Sequence, residues 1–255
     1  MITNTVSGTN IHEVAPRIYR INTPLAIPGS EFSFNQYLVL SDDPVLFHTG
    51  PKKMFPLVSE AIARVMPLER LRYVGFSHYE ADECGSLAEF LAVAPKAEPL
   101  SGMIAKMISI DDVSPRPARG LADGELLDLG SHQVRWFDAP HVPHGWECGF
   151  LMETTTRTLL AGDLFTQPGH GEVALTTGDI LTPSEAFRKQ MDYYAHAPQT
   201  RASIQRLADQ NPEVLACMHG SAWQGDGGQM LRALADAVAP AQRQSNPHLA
   251  HLIAA

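Results

Sequence analysis

The order of its segments constrains this chain most. Short β-branched and aromatic runs alternate with longer amphipathic ones in two sets, and no composition break divides the sets. RIYRINT (17–23), QYLVL (36–40) and PVLFHTG (44–50) read as strands closed by turn residues. PKKMFPLVSEAIARVM (51–66) spaces its apolar residues at helical intervals, and RYVGFS (72–77) is a short buried strand. CGSLAEFLAVA (84–94) reads as a helix, and the Pro- and Gly-rich SPRPARGLADGELLDLG (114–130) as a connecting loop followed by a turn. HQVRWFDAP (132–140) opens the second set, with GFLMETTT (149–156) and RTLLAGDLF (157–165) as a hairpin. Helical patterns follow around 184–196 and 199–210, then a strand and loop in EVLACMHGS (213–221) and a final helix over 226–238. Two strand groups, each followed by helices, predict one α/β domain of two packed sheets with helices outside.

Four of these segments end in histidine or carboxylate side chains. His78, Glu80, Asp82 and Glu83 follow the 72–77 strand in SHYEADECGS, and His141 and His144 follow the 132–138 strand. Asp163 follows the 157–161 strand in LLAGDLF, and His219 follows the 213–217 strand in CMHGSAW. One such residue at a strand end is ordinarily a turn or cap. Four segments delivering them to one edge point to metal. Side chains two apart in an extended stretch share a face, so His78, Glu80 and Asp82 are expected to converge on a pair of ions. Asp163, with one oxygen for each ion, is suited to bridge them. Tyr79, between these donors, should point away and pack in the core, and Cys84 and Cys148 read as small buried side chains.

The donor types choose among chemistries. Imidazole suits zinc, whereas mixed carboxylate and imidazole suit iron and manganese. A zinc hydrolase needs surplus positive charge to acidify its bound water. Glu80, Asp82 and Asp163 offset that charge, which favours the ferric state and points to O2 or NO. No Ser-His-Asp or Cys-His pairing marks a covalent nucleophile. The net charge of −9 excludes a basic nucleic-acid surface. No apolar run approaches the ~18 residues of a membrane span. Three cysteines make no disulfide framework, and the start of the chain lacks a secretory pattern, so a cytoplasmic location is expected.

SHYEADE resembles the first motif of the metallo-β-lactamase superfamily, His-x-His-x-Asp-His, in the His-x-Glu-x-Asp form that marks its flavodiiron branch. GDLFTQ (162–167), YYAHAPQ (193–199) and MHGSAW (218–223) resemble further segments of that branch in consistent order over nearly the whole chain. The resemblance implies an αββα sandwich of two mixed sheets flanked by helices. It also implies a single domain over 1–255, its last ~15 residues a tail. It further implies two iron ions, with zinc or manganese as the alternative. His78, Glu80 and His144 would hold the first ion, Asp82 and His219 the second, and Asp163 would bridge. His141 competes with His144 through the superfamily's His-x-Pro pattern, and the one that is not a ligand should support the site from outside.

Two departures stand out. Glu83 replaces a family histidine, leaving open a carboxylate ligand, a water or weaker binding at the second ion. His48 stands where the superfamily has Asp in an Asp-Thr-Gly turn, and a structural role is expected of it. No phosphate-cradling loop follows a strand in the C-terminal part, so no flavin is expected in this chain. The resemblance implies a diiron oxidoreductase-like protein that binds or reduces O2 or NO, with a separate redox or signalling protein as partner, and a homodimer. A binuclear hydrolase of an ester, lactone, thioester or phosphoester and a non-enzymatic O2 sensor are the competing readings.

Overall fold

The computed structural model describes residues 1–27 and 30–238; the expected tail lies outside them. Two seven-stranded mixed sheets pack face to face with helices on their outer surfaces. The first sheet runs in sequence order: β1 (Asn10–Ala15), β2 (Ile18–Ile27), β3 (Ser30–Val39), β4 (Val45–Phe47), β5 (Tyr73–Gly75), β6 (Glu98–Gly102) and β7 (Arg119–Leu121). Its first four strands are antiparallel neighbours, and β4 to β7 pair in parallel. Between them lie α1 (Phe55–Ala63), α2 (Ala81–Cys84), α3 (Leu87–Val93), α4 (Met103–Ala105) and α5 (Asp111–Val113).

The second sheet is built from β8 (Leu126–Asp128), β9 (Gln133–Asp138), β10 (Gly149–Glu153), β11 (Thr158–Gly162), β12 (Leu175–Thr176), β13 (Val214–Cys217) and β14 (Ala222–Gln224). Its order is β12-β14-β13-β11-β10-β9-β8. β10 and β11 form the expected hairpin, whereas β11 and β13 are parallel. The helices α6 (Leu181–Met191), α7 (Thr200–Ala208) and α8 (Gly227–Val238) accompany this sheet among the described residues. Among the described residues no helix is long and apolar enough to cross a membrane.

Strand alternation builds three apolar layers. In β4, Val45 and Phe47 face the other sheet while Leu46 faces α1 and α3. In β11, Leu160 enters the inter-sheet core, and Leu159 and Ala161 pack under α7 and α8. Both faces of these strands are covered, so their sequences are continuously apolar.

Three expectations need correction. The stretch 114–130 contains β7 and β8 around the turn, because a three-residue strand such as Arg119–Leu121 carries too little alternation to be read. The helix expected from 84 starts earlier, as α2 at Ala81, and resumes as α3. Tyr79 is 47% exposed and lies outside the core.

Candidate metal centre

The candidate donors gather where carboxyl ends of parallel strands in both sheets meet. The loop after β5 supplies His78 and Glu80, and the first turn of α2 supplies Asp82. The β9–β10 loop supplies His144, Asp163 directly follows β11, and His219 lies just beyond β13. The first three therefore do not sit on one extended face. They converge because the chain turns at Glu80 into a four-residue helix, which has too few residues for a readable apolar period.

One atom each from His78, Glu80, His144 and Asp163 lie within 4.8 Å of one another. Glu80 Oε2 is 2.8 Å from His78 Nε2 and 3.1 Å from His144 Nε2. Asp163 Oδ2 is 3.4 Å from His144 Nε2 and 3.8 Å from His78 Nε2. On the other side, His219 Nε2 lies 3.2 Å from Asp163 Oδ1 and 3.6 Å from Asp82 Oδ2. Asp163 thus presents one oxygen to each half of the cluster. His141 is exposed and takes no part in this cluster. Glu83 is fully buried and turned away from it, toward Ser77 and His48.

The histidines are oriented from behind. His219 Nδ1 donates to the Ser33 carbonyl at 2.9 Å, which leaves its Nε2 lone pair facing Asp163. Sheet one braces the same loop. Asn35 Nδ2 donates to the carbonyls of Cys217 and Gly220, Tyr37 Oη to Cys217, and the buried Arg20 Nη2 to Gly220. His78 Nδ1 lies 3.0 Å from Ser77 Oγ. The main-chain oxygen of Asp163 accepts bonds from Thr166 Oγ1 and Tyr193 Oη. Ser33, Ser77 and this bracing set are invisible in the sequence, since they act through backbone carbonyls and scattered polar side chains that carry no spacing signal.

The charges interlock. Hydrogen bonds from His144 and His78 hold the Glu80 carboxyl down at about 2. Burial opposes ionisation of Asp163, yet the adjacent His219, His78 and His144 imidazoles outweigh it and lower its pKa. Burial together with the Asp163 charge pushes Asp82 up to about 6. Burial disfavours charge on His78, His144 and His219, but neighbouring groups overcome it: Glu83 at His78, Glu80 at His144 and Asp163 at His219, so all three are raised.

This geometry suits a cation. Buried Asp163 Oδ1 has no hydrogen-bond partner, and neither has His144 Nδ1. With Nδ1 of His219 committed to Ser33, Nε2 and Asp163 Oδ1 are two lone pairs face to face, a repulsion relieved by a second proton or an ion. His78, Glu80, His144 and Asp163 fit one ion; Asp82, Asp163 and His219 offer donors to a second. Above them opens a cavity of about 900 Å³, walled by Phe32, Phe34, Phe187 and Tyr193. Phe32 stacks on the His219 ring at 4.4 Å.

The two-sheet sandwich is a metallo-β-lactamase fold, with a mixed histidine and carboxylate cluster at its strand ends. The chain belongs to the family described as ODP family beta lactamase, whose sequence model matches residues 32–220. It is 25% identical over 238 residues to an anaerobic nitric oxide reductase flavorubredoxin of Aeromonas hydrophila, covering 87% of this chain and 47% of that protein. Rubredoxin-oxygen oxidoreductase of Megalodesulfovibrio gigas is 25% identical over 205 residues, 76% of this chain and 50% of the relative. The chain thus spans about half the length of these relatives.

Two solved structures share the fold. Rubredoxin oxygen:oxidoreductase from Desulfovibrio gigas superimposes with a TM-score of 0.73 at 18% identity, over 89% of this chain and 62% of that one. The Flv1 flavodiiron core from Synechocystis gives 0.75 at 17% identity, over 93% and 62%.

Proposed function

We propose that this chain holds a binuclear iron centre that binds or reduces O2 or NO. The observation that carries the reading is the donor set: three carboxylates and three imidazoles converge, with Asp163 presenting one oxygen to each half. His78, Glu80, His144 and Asp163 are the proposed ligands of one ion, and Asp82, Asp163 and His219 those of the other. The names of two relatives, a nitric oxide reductase and an oxygen oxidoreductase, support the same substrates.

Bound iron would supply the electrons and the Lewis acidity for a diatomic ligand. The protein's own part is positional. Ser33 and Ser77 fix the imidazole rings, Thr166 and Tyr193 fix the backbone of Asp163, and the phenylalanine wall holds the approach apolar. A separate protein that delivers electrons or receives a signal, a homodimer, one domain formed by the two sheets and a cytoplasmic setting complete the proposal.

Metal analysis and an optical spectrum of protein purified from iron-replete cells, with no metal added, test it. The expected result is iron as the dominant metal, with absorption bands that change on exposure to O2 or NO. Colourless protein with stoichiometric zinc refutes it. Reversible O2 binding without consumption under a reducing system would identify a sensor.

One observation favours a second reading. A cavity of about 900 Å³ is of a size that takes organic ligands, which suits a hydrolase of an ester, lactone, thioester or phosphoester. Turnover of an ester and lactone panel that disappears in Asp163→Asn would select it.

A further inference from the structure

Asp82 and Glu83 are neighbours in sequence, both acidic and both beside the centre, yet they face different surroundings. They sit on the one-turn helix α2, where consecutive side chains diverge by about 100°. Asp82 looks across to His219 Nε2 at 3.6 Å. Glu83 is fully buried on the far side of His78. Its Oε2 accepts the Ser77 backbone N–H at 2.8 Å and lies 3.0 Å from His48 Nε2. The Ser77 hydroxyl is 2.9 Å from each Glu83 oxygen and 3.0 Å from His78 Nδ1. Glu83 Oε1 is itself 3.5 Å from that Nδ1.

These contacts form a line: His48, Glu83, Ser77, then the back of His78, whose front nitrogen faces Glu80. Turning Glu83 toward the cluster would strand the buried Ser77 N–H and remove the carboxylate that lies against the buried His48 ring. Buried polar groups left without partners are strongly disfavoured. The arrangement is that of a carboxylate supporting a ligand histidine from behind.

We infer that Glu83 is a positioning residue for His78 and not a metal ligand, so that the centre offers four protein donors to one ion and only three to the other. The second ion is then held more weakly and keeps more of its coordination positions for exogenous ligands. His48 lies against Glu83 at the far end of the line, 3.0 Å away. The inference rests on the metal-centre reading and assigns the residues that make its two halves unequal.

Anaerobic titration of the metal-free full chain with Co(II) alone, followed by calorimetry and visible absorption, tests it. The unmodified protein should fill in two steps, the second at least about tenfold weaker. Asp82→Asn should lose the second step alone. Glu83→Gln should weaken the first step about 10–100-fold, the usual effect of removing a partner behind a ligand histidine, and leave the affinity of the second unchanged.

Two steps of equal affinity in the unmodified protein overturn the inference, and so does loss of the second step alone in Glu83→Gln. The first of these outcomes needs no variant, so a misfolded Glu83→Gln protein does not rescue the idea. No Co(II) uptake at all, or uptake indifferent to Asp163→Asn, refutes the metal-centre reading itself, and the inference falls with it.

Discussion

Gly162→Ala probes how closely the end of β11 fits against the support of His78. Gly162 has φ +49°, and a Cβ built there lies 2.9 Å from Ser77 Oγ and 3.3 Å from Ser77 Cβ. The left-handed backbone costs a side-chain-bearing residue roughly 1–2 kcal/mol. The Ser77 hydroxyl must also give way, and a hydrogen bond to a charged group such as Glu83 is worth about 1.5–3 kcal/mol. If that bond weakens without breaking, the metal-free protein should lose about 2–4 kcal/mol of stability in urea unfolding. Ser77→Ala removes the collision but not the strain. The double variant should therefore cost about 1 kcal/mol less than the two single losses added together. Because Asp163 follows directly, metal affinity in Gly162→Ala should also fall by about tenfold or more. A Gly162→Ala protein within about 0.5 kcal/mol of its parent, the range of an uneventful surface change, would refute this reasoning, as would a strictly additive cycle.

Three further outcomes are expected. His144→Ala should lose iron while His141→Ala keeps it, by metal analysis of the purified variants; the reverse result would move the ligand assignment to His141. In the metal-free protein His78, His144 and His219 have pKa values raised above 6.5 and Asp82 is near 6, so incoming metal must displace their protons. Apparent affinity should therefore climb with pH until the raised imidazole values are passed, and protons should be released on binding; competition titrations at about pH 6 and about pH 8 with unchanged affinity would contradict this. Glu80, held at about 2, is already ionised across that range and should add nothing to the slope. Gly149→Ala would drive a Cβ into the buried Trp136 ring and to 2.8 Å from the Phe137 carbonyl oxygen. Overpacking of that kind should cost about 1–3 kcal/mol in chemical unfolding, and Trp136→Leu should recover part of it.

The sequence carried the architecture wherever apolar alternation was long. β2, β10, β11, β13, α7 and α8 stand where periodicity places them, whereas β3 begins at Ser30, ahead of the 36–40 run, and α6 ends at Met191, short of the expected 196. It was silent on β6, whose EPLSG contains both Pro and Gly, and on β12, which has two residues. The donors were legible because histidine and carboxylate at successive strand ends are conspicuous. Their geometry was not. The run from His78 to Asp82 looks extended by spacing, and only the folded chain turns it into a helix at Ala81. The partnership of His48 with Glu83 is likewise a contact between segments far apart in sequence, and no local pattern announces it.

The placement of the cluster has a mechanical consequence. Every strand of the first sheet precedes every strand of the second, so the centre joins two consecutive halves of the polypeptide. Glu80 and His144, which meet there, are 64 residues apart. An ion held between them is a removable cross-link closing a loop of that length. In the chain-entropy description, a permanent link of this size restricts the unfolded ensemble by about 4 kcal/mol. Chelation would then act as reduction does on a disulfide, freeing one half of the sandwich to part from the other.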